Sequence, residues 1–95
     1  MTDYKILMAV SKAFGVQPSD IKGKRRIRRI VDARKAYCFT CWAYGITQRE
    51  IAATLDCDRS YVSYAAHNAQ NWLDNPTYST EASRLANALK QLAQI

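Results

Sequence analysis

The twenty residues QREIAATLDCDRSYVSYAAH, at 48–67, constrain the fold more than any other part of the chain. Ile51 and Leu55 recur at helical spacing before a polar break, and Val62 and Ala65 do so after it, so the spacing predicts two short helices joined by a tight turn. A helix-turn-helix asks for more than two helices. It needs a small residue where the helices cross, and Ala52 stands there. Four positions later it needs a residue that accepts a left-handed backbone, a slot usually given to Gly and here occupied by Asp56. Ile51, Leu55, Cys57, Val62 and Ala65 are expected to point into the core. Thr47 is expected to cap the first helix, with Glu50 three residues on as a capping box, and Asp58 to cap the second.

The flanks read as helices too, and no alternating run suggests a strand. Thr2 is expected to cap a first helix carrying Ile6, Leu7, Val10, Ala13 and Phe14, with Gly15 ending it. In QPSDIKG, Ser19 is expected to cap a single turn that Gly23 closes. A long helix is predicted over 25–44, with Ile27, Ile30, Val31, Tyr37, Cys38, Cys41 and Tyr44 along its apolar stripe and Gly45 after it. A helix at about 59–73 stops at the DNP of 74–76. Ser79 or Thr80 is expected to cap a last helix carrying Ala82, Leu85, Ala86, Leu89, Leu92 and Ala93. Ninety-five residues support one small core, so the expected class is all-α, a compact helical bundle built around the helix-turn-helix.

Charge narrows the partners. Lys22, Lys24, Arg25, Arg26, Arg28, Arg29, Arg34 and Lys35 are eight of the fourteen Lys and Arg, and Asp32 is the one acid among them. Residues 22–35 therefore carry +7 and the rest of the chain −1. So local an excess points to an anionic partner, nucleic acid or a membrane surface. The longest uncharged apolar run, AYCFTCWAYGI at 36–46, is too short to span a bilayer, and Phe39 and Trp42 lie well past the charges, so no membrane role is expected. In a helix-turn-helix the second helix enters the major groove and its first turns meet base edges. The side chains there are Asp58, Arg59, Ser60, Tyr61, Ser63, Tyr64 and His67. Arg59 can fork onto guanine, and Ser60 can serve a base or a phosphate. Asp58 can accept from a cytosine amino group as well as cap, and His67 reads equally as a phosphate contact or a plain surface histidine. Thr47, Gln48 and Arg49 open the first helix, beside the same groove.

Other chemistries are poorly supported. Cys38 and Cys41 have CxxC spacing, but zinc needs two more ligands and only Cys57 and His67 remain, without a second paired motif. Buried thiols in a reducing compartment are expected instead, with no metal and no cofactor. One histidine, on the expected DNA face, is a poor basis for catalysis, so no catalytic residue and no enzyme activity is expected.

VSKAFGVQPSDIKGKRRIRRIVDARKAY, followed by a helix-turn-helix entered through ITQREIAATL and continued by DRSYVSYA, resembles the C-terminal DNA-binding domain (domain IV) of DnaA, the bacterial replication initiator. That family combines an apolar helix ending in FG, a D-L/I-x-x-K-R-R connector, a long helix with A-R-x-x-A, and a signature around D-H-T-T-V. The resemblance covers about residues 6–73, and KGKRRxRRIVxAR is its specific part. It implies a fold of the Trp-repressor-like, DnaA C-terminal type. It further implies that Arg26 enters the minor groove beside the major-groove site, that Arg25 and Arg28 sit nearby, and that Arg34 meets a phosphate. A narrow A·T-rich minor groove draws in arginine through its negative potential.

This chain departs from the family pattern in three places. DRS replaces DHT, which puts Arg59 where a thymine-reading histidine would stand. The DC turn lacks the family's GGR and is one residue shorter, and the YGIT loop is short as well. A base preference different from the initiator's is therefore expected. No GxxxxGK[ST] occurs, so the ATP-driven motor of an initiator is not expected. The combined expectation is a helix-turn-helix domain over 1–75 with a last helix over 76–95 packed on it. It would bind double-stranded DNA sequence-specifically in transcription regulation or replication control. Lys22 and Lys24 would add phosphate contacts, and the setting would be a bacterial cytosol or nucleoid, phage- and plasmid-borne chains included. A monomer is expected, with the last helix as the surface a dimer would use. The competing reading keeps the fold but turns its surface onto a protein, an initiator or a polymerase component.

Overall fold

A computed structural model describes residues 2–93. Helix α1 (Thr2–Phe14) ends at Gly15, whose φ of +68° reverses the chain. The capping side chain expected of Thr2 lies outside the described residues. Helix α2 (Pro18–Lys22) is a single short helix, followed by a strip from Lys24 to Ile27 that is neither helix nor strand. Helix α3 (Arg28–Ala43) runs through the molecule to Gly45, at φ +87°. Helices α4 (Gln48–Leu55) and α5 (Arg59–Asp74) form the helix-turn-helix. A 3-10 turn, Pro76–Tyr78, leads into α6 (Ser79–Ala93). The Cα radius of gyration is 11.8 Å, close to the roughly 12 Å expected of one globule of this length.

One core holds the helices together. Ile6, Val10 and Phe14 of α1, Ile21 of α2, Ala33, Tyr37, Cys38 and Cys41 of α3, Ile51 and Leu55 of α4, and Val62, Ala65 and Trp72 of α5 are all buried in it. Helix α6 adds Leu85, Ala88 and Leu92, and packs chiefly on α1 and also on α5. Its stripe is narrower than predicted: Ala82 and Leu89 are half-buried, and Ala86 and Ala93 are exposed. Small residues let α3 and α5 approach closely, since Ala33, Ala36, Ala65 and Ala69 are fully buried along their crossing.

Several local expectations need correction. The long helix starts at Arg28, not residue 25. The Arg34 guanidinium donates to the carbonyls of Asp20 (Nη2, 3.0 Å), Ile21 (Nε, 2.9 Å) and Arg25 (Nη2, 3.2 Å), which holds the connector across α3 as a strip that cannot also coil. Ile27 therefore leaves the apolar stripe and is 50% exposed as the N-cap. Tyr44 is the C-cap and exposed rather than part of the stripe. The cap of α2 is Gln17, whose backbone N–H donates to Asp20 Oδ2 at 3.1 Å, with Pro18 at the first helical position; Ser19 lies inside the helix. Neither Ser79 nor Thr80 caps the last helical stretch. Asn75 does, its Oδ1 accepting from the Thr77 N–H at 3.0 Å, and the 3-10 turn runs on into α6.

Candidate nucleic-acid interface

The helix-turn-helix forms from short-range rules. Thr47 Oγ1 accepts the Glu50 N–H at 3.2 Å, and its hydroxyl donates to Glu50 Oε1 at 3.0 Å. Asp56 takes the left-handed conformation the turn requires, at φ 53° and ψ 56°, and is the single non-glycine at positive φ among the described residues. Cys57 fills its slot incompletely, half-buried against the core. Asp58 stands at the N-cap of α5 in extended geometry, but its side chain accepts no capping bond, contrary to expectation. Its carboxylate is thus exposed at the tip of the helix.

From that tip, α5 presents a polar face. Arg59, Ser60, Tyr64 and His67 are exposed, while Tyr61 and Ser63 are half-buried beside them. Ser60, Tyr64 and His67 recur at four and three, so they form one stripe. Tyr61 and Tyr64 pack as a tilted pair, 6.3 Å between ring centroids. Burial pushes the Tyr61 hydroxyl's pKa up. His67 Nδ1 lies 2.7 Å from the Ser63 carbonyl oxygen. A carbonyl only accepts, so Nδ1 carries the proton.

The connector lies alongside this face. Lys24 and Arg26 line a groove whose opposite wall holds Tyr61 and Tyr64, while Arg25 and Ile27 line a second groove on the other flank. Lys24 closes the first groove at one end. Its Nζ donates to the Leu55 carbonyl at 3.0 Å and the Asp56 carbonyl at 2.6 Å, the last acceptors of α4. Lys35, not among the residues expected at the site, reaches the first groove from α3. Its Nζ donates to Asn68 Oδ1 at 3.2 Å and sits 5.5 Å from the centre of the Tyr64 ring. Its place in the charge run was visible beforehand, but its reach to α5 follows only from the helix crossing.

The remaining expected residues divide. Arg34 also lines the first groove, although its Nε and Nη2 are taken by the carbonyls of Asp20 and Ile21 in α2 and of Arg25 in the connector. Arg28 pairs with Asp32 (Nε to Oδ2, 3.5 Å) and Glu81 (Nη2 to Oε2, 3.4 Å). Asp32 is buried, and desolvation raises its pKa even against the pull of Arg28. Thr47, Gln48 and Arg49 are exposed on the first turn of α4, and Gln48 lines a small pocket with Trp42, Ser63 and His67. Lys22 is not brought to the connector grooves. It borders a hollow with Leu7 of α1 and Thr54 of α4.

The thiols lie in the interior. Cys38 and Cys41 are fully buried, and burial pushes both up to about 12. Among the described residues no three His, Cys, Asp or Glu side chains gather as a metal site, and no helix is long and apolar enough to cross a membrane. What the surface offers is donors, arginines and tyrosine rings around two grooves and one protruding helix.

No curated protein matches the chain. A family model described as the bacterial dnaA protein helix-turn-helix matches residues 4–68, which run from α1 through the exposed turns of α5 and leave α6 outside. Such domains bind DNA and are not catalytic, and the chain belongs to this family.

Proposed function

We propose that the protein binds double-stranded DNA sequence-specifically, with α5 in the major groove and the connector at the adjacent minor groove. The observation that carries this reading is the groove between the two elements, with Lys24, Arg26 and Lys35 on one side and Tyr61 and Tyr64 on the other. One sugar-phosphate strand lying there would have α5 in the groove on one side of it and Arg26 in the groove on the other. Arg59, Ser60, Ser63, Tyr64 and His67 Nε2 then face base edges or the nearest phosphates, Tyr61 faces a sugar, and the free Asp58 carboxylate can accept from a cytosine amino group. Thr47, Gln48 and Arg49 at the start of α4 meet the far strand of the major groove. Lys24 and Arg34 act mainly as positioning residues, since their donors already hold backbone carbonyls.

The role is transcription regulation or replication control in a bacterial cytosol or nucleoid, without ATP hydrolysis. The protein acts as a monomer on an asymmetric site. Arg26 and Arg59 on different elements give the complex a direction, and Leu85, Ala88 and Leu92 of α6 are already used in the core. The test is selection of bound duplexes from a random pool, followed by Arg26→Ala and Arg59→Ala on the selected site. Each substitution should relax choice at separate base pairs. A pool that yields no preferred sequence would remove the readout, and a surface devoted to a protein partner would then remain.

A further inference from the structure

The second groove, on the flank of the connector away from α5, has no role in that reading. Its walls are Arg25, Ile27, Arg28 and Arg29 on one side and Glu81 and Arg84 of α6 on the other. Helix α6 lies outside the residues that match the family. Glu81 and the buried Asp32 are both engaged by Arg28. Asp20, Asp32 and Glu81 also line this groove, but Arg25, Arg29 and Arg84 have no acid within 4.0 Å among the described residues, so three arginines border it outside any ion pair.

We infer that this groove holds the second strand of the minor groove, which makes α6, through Arg84, part of the DNA-binding surface. The inference rests on the proposed docking of the connector and follows from its shape. A minor groove is about 6 Å wide and walled by two phosphate backbones. A ridge that enters it must offer both flanks to those walls. The connector strip does so, since Lys24 and Arg26 line the groove on one side and Arg25 and Ile27 the groove on the other. A phosphate backbone on the far side meets Arg25, Arg29 and Arg84. Ile27 lies along the sugars, where an apolar side chain loses no hydrogen bond. An acidic protein segment would also suit three free arginines. The continuity of this groove with the ridge that carries Arg26 favours DNA.

The test uses the full chain and the duplex selected by the wild type. Arg29→Ala, Arg84→Ala and the double variant are titrated against salt, after circular dichroism and thermal unfolding show that each is folded. Each lost phosphate contact flattens the log–log slope by about 0.9, so the double variant should be shallower by about 1.8 and bind roughly 30-fold more weakly near 0.15 M salt. The charge-conserving Arg84→Lys should restore most of the slope if Arg84→Ala flattens it. Ethylation interference on the wild type should mark phosphates on both strands of the minor groove, and Arg84→Ala should lose those on one strand only. A double variant with the wild-type slope and the wild-type interference pattern overturns the inference and leaves the groove to a protein partner. The docking reading fails separately, through Arg26→Ala and Arg59→Ala leaving base choice untouched.

Discussion

Lys24→Ala is the substitution whose sign the structure decides. Lys24 belongs to a segment carrying +7, so relief of like-charge repulsion alone would make its loss stabilising. Yet its Nζ donates to the Leu55 and Asp56 carbonyls at 3.0 and 2.6 Å, at the one place among the described residues where a non-glycine is held left-handed. Hydrogen bonds from a charged donor contribute about 1.5–3 kcal/mol each, and the Asp56 bond is exposed and the Leu55 bond only part-buried, so the lower value applies. Against about 3 kcal/mol for the pair stands about 2 kcal/mol for immobilising a lysine side chain. The net loss expected is about 1 kcal/mol, which for a domain of this size lowers Tm by roughly 4–8 °C. Lys22→Ala is the matched control. It removes the same charge from the same segment, but Lys22 makes no side-chain hydrogen bond among the described residues and should stay within about 0.5 kcal/mol of wild type. Thermal unfolding followed by circular dichroism at moderate salt measures both. A Lys24→Ala variant as stable as Lys22→Ala would refute the view that the lysine fastens the turn.

Arg59→Ala should cost about 1–3 kcal/mol on the selected site and relax one base pair, while Lys24→Ala weakens all sequences about equally; equal losses of Arg59→Ala on specific and random duplexes would show that Arg59 reads no base. Asp32 has its pKa raised above 3.8 by burial, so the native state holds that proton more tightly than the unfolded chain and ionisation costs stability as pH rises from about 4 through the raised value. Asp32→Asn should accordingly gain on wild type over that rise, as read from urea unfolding at several pH values, and a constant difference would contradict it. Cys38 and Cys41, buried and pushed up to about 12, should resist a thiol reagent until the protein unfolds, leaving the half-buried Cys57 to react first; mass spectrometry of the native protein counts the labels. Affinity for the selected duplex should fall with salt at a log–log slope between about −4 and −7.

What could be read from the sequence was local. Thr47 with Glu50, Asp56 in its left-handed slot, Gly15 and Gly45 after their helices, and the buried faces of α1, α4 and α5 each follow from residues within a turn of one another. Long-range contacts were hidden. Lys24 meets Leu55 across 31 positions, and Arg34 reaches back 13 and 14 to the end of α2. Both look like phosphate-binding cations in a string of cations. The early start predicted for α3 has the same origin: Ile27 fits the helical period, and only the Arg34 bonds to the connector show why the helix waits until Arg28. Gln17 and Asn75 stand beside serine and threonine, which cap more often, so their capping roles do not show in the sequence. In the expected site, the placement of Arg59, Ser60, Tyr64 and His67 on one exposed face was legible from the helix period. The groove opposite them was not, since it exists only once α3 has crossed α5.

The charge of the basic segment and its capacity for contacts are different quantities, and the salt slope separates them. All eight cations keep their charge, so all contribute to the field that steers DNA toward this face. A cation whose donors hold a protein acceptor has fewer left for a phosphate. Lys24 and Arg34 hold backbone carbonyls, Lys35 holds Asn68, and Arg28 is shared by Asp32 and Glu81. Lys22 sits away from the connector grooves. Of the eight, Arg25, Arg26 and Arg29 make no side-chain hydrogen bond or ion pair among the described residues, and Arg49 and Arg84 join them from α4 and α6. Five cations at about 0.9 each give a slope near −4.5. A slope steepened to about −6.3 would mean that DNA draws Lys24 and Arg34 off their carbonyls, and would predict a looser turn at Asp56 in the complex than in the free protein. Hydrogen exchange at the Cys57 amide, which donates to the Ala52 carbonyl at 3.0 Å, would report that loosening directly.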